Sequence, residues 1–327
     1  MESLKNLQDK IAKLCLAIYP KTEFSASAIS FPASVEEVIK FSRRNRLDHY
    51  LALELLKEDV PDPNLKEKLK TLEVEYHRYK KTLNAAITLL NTIFESKRWM
   101  LVKTLSSYPH ITTDIDVLVE TPEIAEKAKL EIQKSGWPKT QNGESGGDLL
   151  DLDIDINHRI SWTSSEEISP EFTWNHTEEI AVDGLRVNVP DPVLDTLIRV
   201  AHMPFEMGEV RLGELMHIFH QAENINWKLL EEEAGRRNWP HAFKNMFQLL
   251  AFLHQGLFAA PFKGLKVDQP KNSLPFPYKI PYTALASAVI EKRAWFKIWG
   301  ARYVLKERLL GVKCMPLPTL KPGLNKD

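Results

Sequence analysis

The run Thr113-Asp114-Ile115-Asp116-Val117-Leu118-Val119 sets two acids one residue apart and then turns apolar. In a β-strand, side chains alternate between faces, so Asp114 and Asp116 share one face while Ile115 and Val117 point into a core. Neighbouring carboxylates repel, and a hard divalent cation between them removes that cost. A second alternating run, Leu150-Asp151-Leu152-Asp153-Ile154-Asp155-Ile156, supplies further carboxylates at the same period. The plainer alternative is a pair of solvated strands with surface aspartates, which this spacing alone does not exclude.

The rest of the chain sorts around these strands. Apolar positions at helical spacing (Leu4, Leu7, Ile11, Leu14, Ile18) predict a first helix that Pro20 ends. Ser34, with Glu37 three residues on, predicts a capped second helix. Residues 64–97 hold a helical pattern with neither Gly nor Pro. A short apolar strand at 99–102, a polar loop at 104–113 and the 114–119 strand follow. Thr121 caps a helix that Gly136-Trp137-Pro138 stops near Ser135. A Gly-rich polar loop at 140–148 and a third strand over 150–162 come next. Asp183-Gly184 between two alternating runs, 179–182 and 185–189, predicts a tight hairpin. Asp191 and Pro192 start the first of several helical patterns at 193–203, 209–223, 227–237 and 241–256. A Pro-rich connector at 260–283 reads as irregular surface chain, ahead of a last helical pattern at 283–311.

The reading is therefore α+β: a small mixed β-sheet core at 99–190, flanked by helical regions at 1–98 and 191–314, with a tail at 315–327. The 327 residues suffice for two or three small domains or one large one. A net charge of −1 excludes a polycation built as a whole for nucleic acid, so any such contact needs a local patch. Cys15 and Cys314 stand far apart with no metal spacing, as expected of a reducing cytoplasm. The N-terminal MESLKNLQDKIAK lacks the apolar centre of a secretory signal, and no run is long enough to span a bilayer.

Two further clusters bear on binding. His217 and His220, three apart, have no carboxylate at a recognised ligand spacing; with His202 they read as packing or surface histidines. The 283–311 pattern interleaves Lys292, Arg293, Lys297, Arg302, Lys306 and Arg308 with Trp295, Phe296, Trp299 and Tyr303, and Lys313 stands just after it. Such a mixture can hold phosphates and stack bases, as an RNA or tRNA end would require. The i, i+4 spacing of 295, 299 and 303 favours packing instead.

The order of these motifs resembles the polymerase-β-like nucleotidyltransferase superfamily. Leu101-Val102-Lys103-Thr104 precedes Asp114-Ile115-Asp116-Val117-Leu118-Val119, then Asp155-Ile156-Asn157-His158-Arg159, then the hairpin into Val189-Pro190-Asp191-Pro192. Within the superfamily the chain looks like an uncharacterised nucleotidyltransferase family with LKG, R…DIDLLV and DLHW motifs, over roughly residues 1–255. That resemblance implies Mg²⁺ or Mn²⁺ held by Asp114 and Asp116. Asp155 would be the third carboxylate, with Asp153 as the alternative. It also implies NTP phosphates, ATP among them, on the loop after the first strand. There Lys103, Thr104, Ser106 and Ser107 offer a cation, hydroxyls and backbone N–H groups. The chain departs from the pattern at three places: Thr104-Leu105 stand where Gly, often Gly-Ser, is usual; His110 takes the place of an Arg; and Asn157 takes that of the DLHW His.

The activity implied is metal-dependent transfer of a nucleoside monophosphate from an NTP to an acceptor hydroxyl, with release of pyrophosphate. The acceptor class is an RNA or tRNA end, a protein or a small molecule. Two alternatives stand beside it: a non-catalytic descendant that binds nucleotide or RNA, and the toxin of a toxin–antitoxin pair.

Overall fold

The structure, a computed structural model, describes residues 2–20, 23–137, 150, 152–161, 168–267 and 273–281. Asp151, the 140–148 loop, the basic 283–311 pattern, Cys314 and the tail lie outside the described residues. In chain order the elements are α1 (Glu2–Ile18), α2 (Val35–Arg44), α3 (Asp48–Leu55), α4 (Pro63–Ile93), β1 (Trp99–Leu101), β2 (Asp114–Val119), α5 (Pro122–Ser135) and β3 (Asp153–Asn157). Then come α6 (Pro170–Asn175), β4 (Thr177–Val182), β5 (Leu185–Pro190), α7 (Pro192–His202), β6 (Glu209–Val210), α8 (Leu212–Ala222), α9 (Trp227–Arg236), α10 (Pro240–Phe258) and β7 (Tyr278–Lys279). The class is α+β with small sheets, as the sequence predicts. Two compact units form: Met1–Asp48 with Ser161–Glu167 and Thr196–Asp327, and His49–Ile160 with Ile168–Asp195.

The second unit carries the three-stranded sheet, ordered β1-β2-β3. β1 runs antiparallel to β2, and β2 runs parallel to β3. Parallel neighbours need a crossover, and α5 supplies it. Thr121 caps that helix by accepting the Ile124 N–H at 3.3 Å, and Gly136 ends it at φ 81°, where a Cβ would be strained. Ile115, Val117 and Val119 from β2, Ile156 from β3, and Ala125, Ala128 and Ile132 from α5 share one buried cluster. Leu83, Ala86, Ile87 and Leu90 of α4 enter the same cluster, so the long helix is part of the sheet's core. Asp62 starts α4 by accepting the N–H groups of Asn64 and Leu65 at 2.9 and 3.2 Å. The helix ends at Ile93, one turn short of the 64–97 pattern, and β3 is shorter than the 150–162 run.

β4 and β5 pair antiparallel through Asp183-Gly184, whose φ values of 47° and 85° are those of the mirror-image turn that hairpins favour. α4 holds this turn. Lys80 and Asn84 donate to the Asp183 carboxylate at 3.0 and 2.9 Å, and these bonds hold that carboxyl below its ordinary value. Asn188 joins the hairpin to the sheet by donating to the Trp99 carbonyl at 3.1 Å.

The first unit is helical. Leu7, Ile11, Leu14 and Ile18 of α1 are buried, as is the apolar body of α8 and α10. Ser34 caps α2 by accepting the Glu37 N–H at 3.2 Å, as the capping pattern predicts. The Pro-rich connector differs from its sequence reading. Leu274 bridges Ile29, β7 pairs with β6, and Phe276, Tyr278 and Ile280 are buried. Alternating apolar side chains there outweigh the proline content, because each has a surface to cover. Burial pushes the thiol of Cys15 up, which makes it an unreactive core residue. Among the described residues, no helix is long and apolar enough to cross a membrane.

Candidate functional site

The parallel register sets Asp114 opposite Asp153 and Asp116 opposite Asp155. Register partners in a sheet point to the same face, so four carboxylates form two rungs on the face away from Ile115, Val117 and Ile156. Burial follows the alternation: Asp153 and Asp155 are exposed, Ile156 is buried, and Asp114 and Asp116 are intermediate.

Each acid has a specific neighbour. Lys103 Nζ lies 3.2 Å from Asp116 Oδ2, with both side chains about four-fifths covered (24% and 21% exposed). Thr113 donates to Asp114 Oδ1 at 3.2 Å, and Asn157 Nδ2 donates to Asp155 Oδ2 at 3.1 Å. Burial raises the Asp116 carboxyl above the ordinary value; Lys103 pulls it down, and the charges of Asp114 and Asp155 push it up again. The net direction is upward because burial, the largest cause, outweighs the nearby ammonium.

The loop after β1 docks on β2. Val102 N donates to Asp116 O at 2.9 Å. Lys103 adopts φ 57°, the left-handed region that a lysine seldom enters. Thr104 is buried; its hydroxyl donates to Val102 O and accepts the Asp116 N–H, both at 3.2 Å. Tyr79 of α4 pins both ends of the loop. Its phenol is 3.0 Å from Thr112 Oγ1 and donates to Thr104 O at 3.4 Å.

Of the sequence-predicted loop residues, Lys103 is at the carboxylates. Thr104 is beside them with its hydroxyl engaged in holding the loop. Ser106 is half-buried and Ser107 exposed on the same loop. His110 is buried, its ring 5.4 Å from that of Tyr108. His217 is buried in α8 and His220 is exposed, while His202 lies 3.1 Å from Glu206. Sequence reasoning missed Tyr79 and the Lys103–Asp116 pair, since neither has a local pattern.

Four carboxylates on one face supply hard oxygen donors and an excess of negative charge, which fits a divalent cation in chemistry and in sign. Among the described residues, no three His, Cys, Asp or Glu side chains close on one point as a formed metal site does. The cation beside Asp116 is Lys103. The chain matches no family model, no curated protein and no solved structure in the comparisons made.

Proposed function

We propose that this chain is a divalent-metal-dependent nucleotidyltransferase, moving a nucleoside monophosphate from an NTP to an acceptor hydroxyl with release of pyrophosphate. The observation that supports it most is the pairing of Asp114 with Asp153 and Asp116 with Asp155 across parallel strands, beside a loop that Thr104 ties to Asp116. Asp114 and Asp116 would hold Mg²⁺ or Mn²⁺, with Asp155 as third carboxylate and Asp153 as the alternative. When bound, such an ion neutralises phosphate charge and makes the acceptor hydroxyl more acidic. The protein's own work is positioning. β2 and β3 fix the carboxylates, the loop offers Lys103 and Ser106 to phosphate oxygens, and Asp155 faces the acceptor's proton. The working compartment in this reading is the cytoplasm.

The test is incubation of the full chain with each labelled NTP, Mg²⁺ or Mn²⁺, and total RNA or protein. Label should pass to an acceptor in the wild type and not with Asp114→Ala plus Asp116→Ala. Transfer that persists in the double variant overturns the reading.

One observation favours a second reading, a non-catalytic descendant that binds nucleotide or RNA: Lys103 already sits on Asp116, and the Thr104 hydroxyl is engaged at both ends. Calorimetry separates the two. Mg²⁺-dependent NTP binding belongs to the enzyme, and RNA binding without metal or NTP affinity belongs to the descendant.

A further inference from the structure

We propose that Lys103 is a tethered counter-ion of the carboxylate site, holding the cation position beside Asp116 until nucleotide phosphates draw it away. The inference rests on the nucleotidyl-transfer reading and deepens it, since it sets the order in which metal and nucleotide enter.

The ammonium is 3.2 Å from Asp116, within the distance at which a metal-bound carboxylate would need its oxygens free of a competing cation. Its backbone is held in a costly conformation. A left-handed lysine costs on the order of 1 kcal/mol, and such strain persists only where its surroundings over-determine it. Here they do so. Val102 N donates to Asp116 O, the Thr104 hydroxyl bridges Val102 O and Asp116 N, and Tyr79 donates to Thr104 O. A glycine would adopt φ 57° without that cost, so the side chain is what the strained residue contributes.

Charge decides what the contact does. One monovalent ammonium neighbours Asp116, while Asp114 and Asp155 also act on that carboxylate and Asp153 stands on the rung beside Asp114. Lys103 satisfies one acid and leaves a negative excess that still attracts a divalent ion. Metal entry, however, has to take Asp116 from the ammonium. A lysine stem is flexible, and its head binds phosphate as readily as carboxylate. A triphosphate therefore offers Lys103 a second anionic partner as it brings in its own metal. Bare metal should bind weakly, and metal with nucleotide should bind together.

The test measures Mn²⁺ binding to the full chain, without nucleotide, by calorimetry and by the loss of free-ion paramagnetic resonance signal. Lys103→Met removes the charge, and Lys103→Gly removes it with a residue that suits the backbone, so one folded variant is enough. Either should tighten Mn²⁺ binding on the order of tenfold, the range of a partly exposed ion pair. Lys103→Arg should stay at wild-type affinity, and adding Asp116→Asn to Lys103→Met should abolish the gain. Unchanged or weaker Mn²⁺ binding in folded Lys103→Met or Lys103→Gly overturns the proposal. The transfer assay stands apart. Tighter Mn²⁺ binding in a chain that never transfers NMP upholds the counter-ion and rejects the enzyme. Transfer that depends on Asp114 and Asp116, with metal affinity indifferent to Lys103, does the reverse.

Discussion

Asp116 and Asp155 are register partners across the parallel β2–β3 pair, and the charge of Asp155 acts on the Asp116 carboxyl. Asp153 partners Asp114 one rung away. If the reacting centre forms at the Asp116 rung, the two acids of β3 differ in consequence. Asp155→Asn should lower NMP transfer by about a hundredfold or more, the range of a lost proton acceptor or metal ligand. Asp153→Asn should lower it by less than about tenfold. Both residues are exposed, so melting temperatures should barely move in either variant. Steady-state transfer rates with matched thermal melts check this, and equal losses in the two variants would remove the distinction.

Tyr79 links α4 to the loop that carries Lys103 and Thr104. Tyr79→Phe keeps the buried ring and removes only the hydroxyl. The expected cost is about 1 kcal/mol of stability, the usual net worth of a buried hydrogen bond. Urea unfolding measures that term. Amide exchange should show faster opening over 104–112 with β2 unchanged, because the phenol's hydrogen bonds go to Thr104 and Thr112 at the two ends of the loop. Uniform acceleration across β2 would count against a local role.

The sheet face was legible because a period of two leaves little choice: Ile115 and Val117 must be buried, so Asp114 and Asp116 must share the other face. The Asp183-Gly184 hairpin and the Ser34 cap were legible for the same reason, since the signal lies within a few residues of the effect. Lys103 on Asp116 was not. Its contact depends on a left-handed φ that no neighbouring residue announces. Tyr79 reaches the loop from twenty-five residues away through the packing of α4, and only the assembled core fixes that distance. The connector misled because prolines mark irregular backbone, while burial of Phe276, Tyr278 and Ile280 depends on the surface beneath them.

In the first unit, His254 is buried against the rings of Phe219, Phe258 and Phe262, with centroids 4.9, 4.8 and 5.2 Å away. Its Nδ1–H donates to Ala260 O at 3.0 Å, and its Nε2 lies 3.2 Å from the Tyr19 phenol, which donates to Glu223 at 2.7 Å. Burial lowers the pKa of His254, with the Ala260 bond and the charge of Glu223 opposing. Because the folded value is depressed, the fold binds fewer protons than the unfolded chain near and below 6.5, the ordinary value. Stability should therefore be full above about pH 6.5 and fall as pH drops through the folded value. Urea midpoints at pH 7.5 and 5.0 should separate in the wild type and draw closer in His254→Phe, which keeps an aromatic ring. An equal separation in both would assign the pH dependence elsewhere.

Glu214 is a buried carboxylate of the same unit. Arg46 Nη1 is 2.8 Å from its Oε1, and burial, which alone would raise its carboxyl, is outweighed by the charges of Arg46, Arg199, His202 and Arg211. The folded pKa therefore lies below the ordinary 4.5. Its contribution is full above that value and is lost as pH falls through the lowered folded one. Removing the acid leaves the buried Arg199 and half-buried Arg46 without this counter-charge, a change that costs about 3 kcal/mol when one member of a buried pair is deleted. Glu214→Ala should lose about that much at pH 7, read from urea unfolding. Glu214→Gln keeps the shape, should lose somewhat less, and should unfold with a shallower acid limb below pH 4.5. If Glu214→Gln matched the wild type at pH 7 and in acid, the arginines would have to be balanced by other groups and the carboxylate would be packing alone.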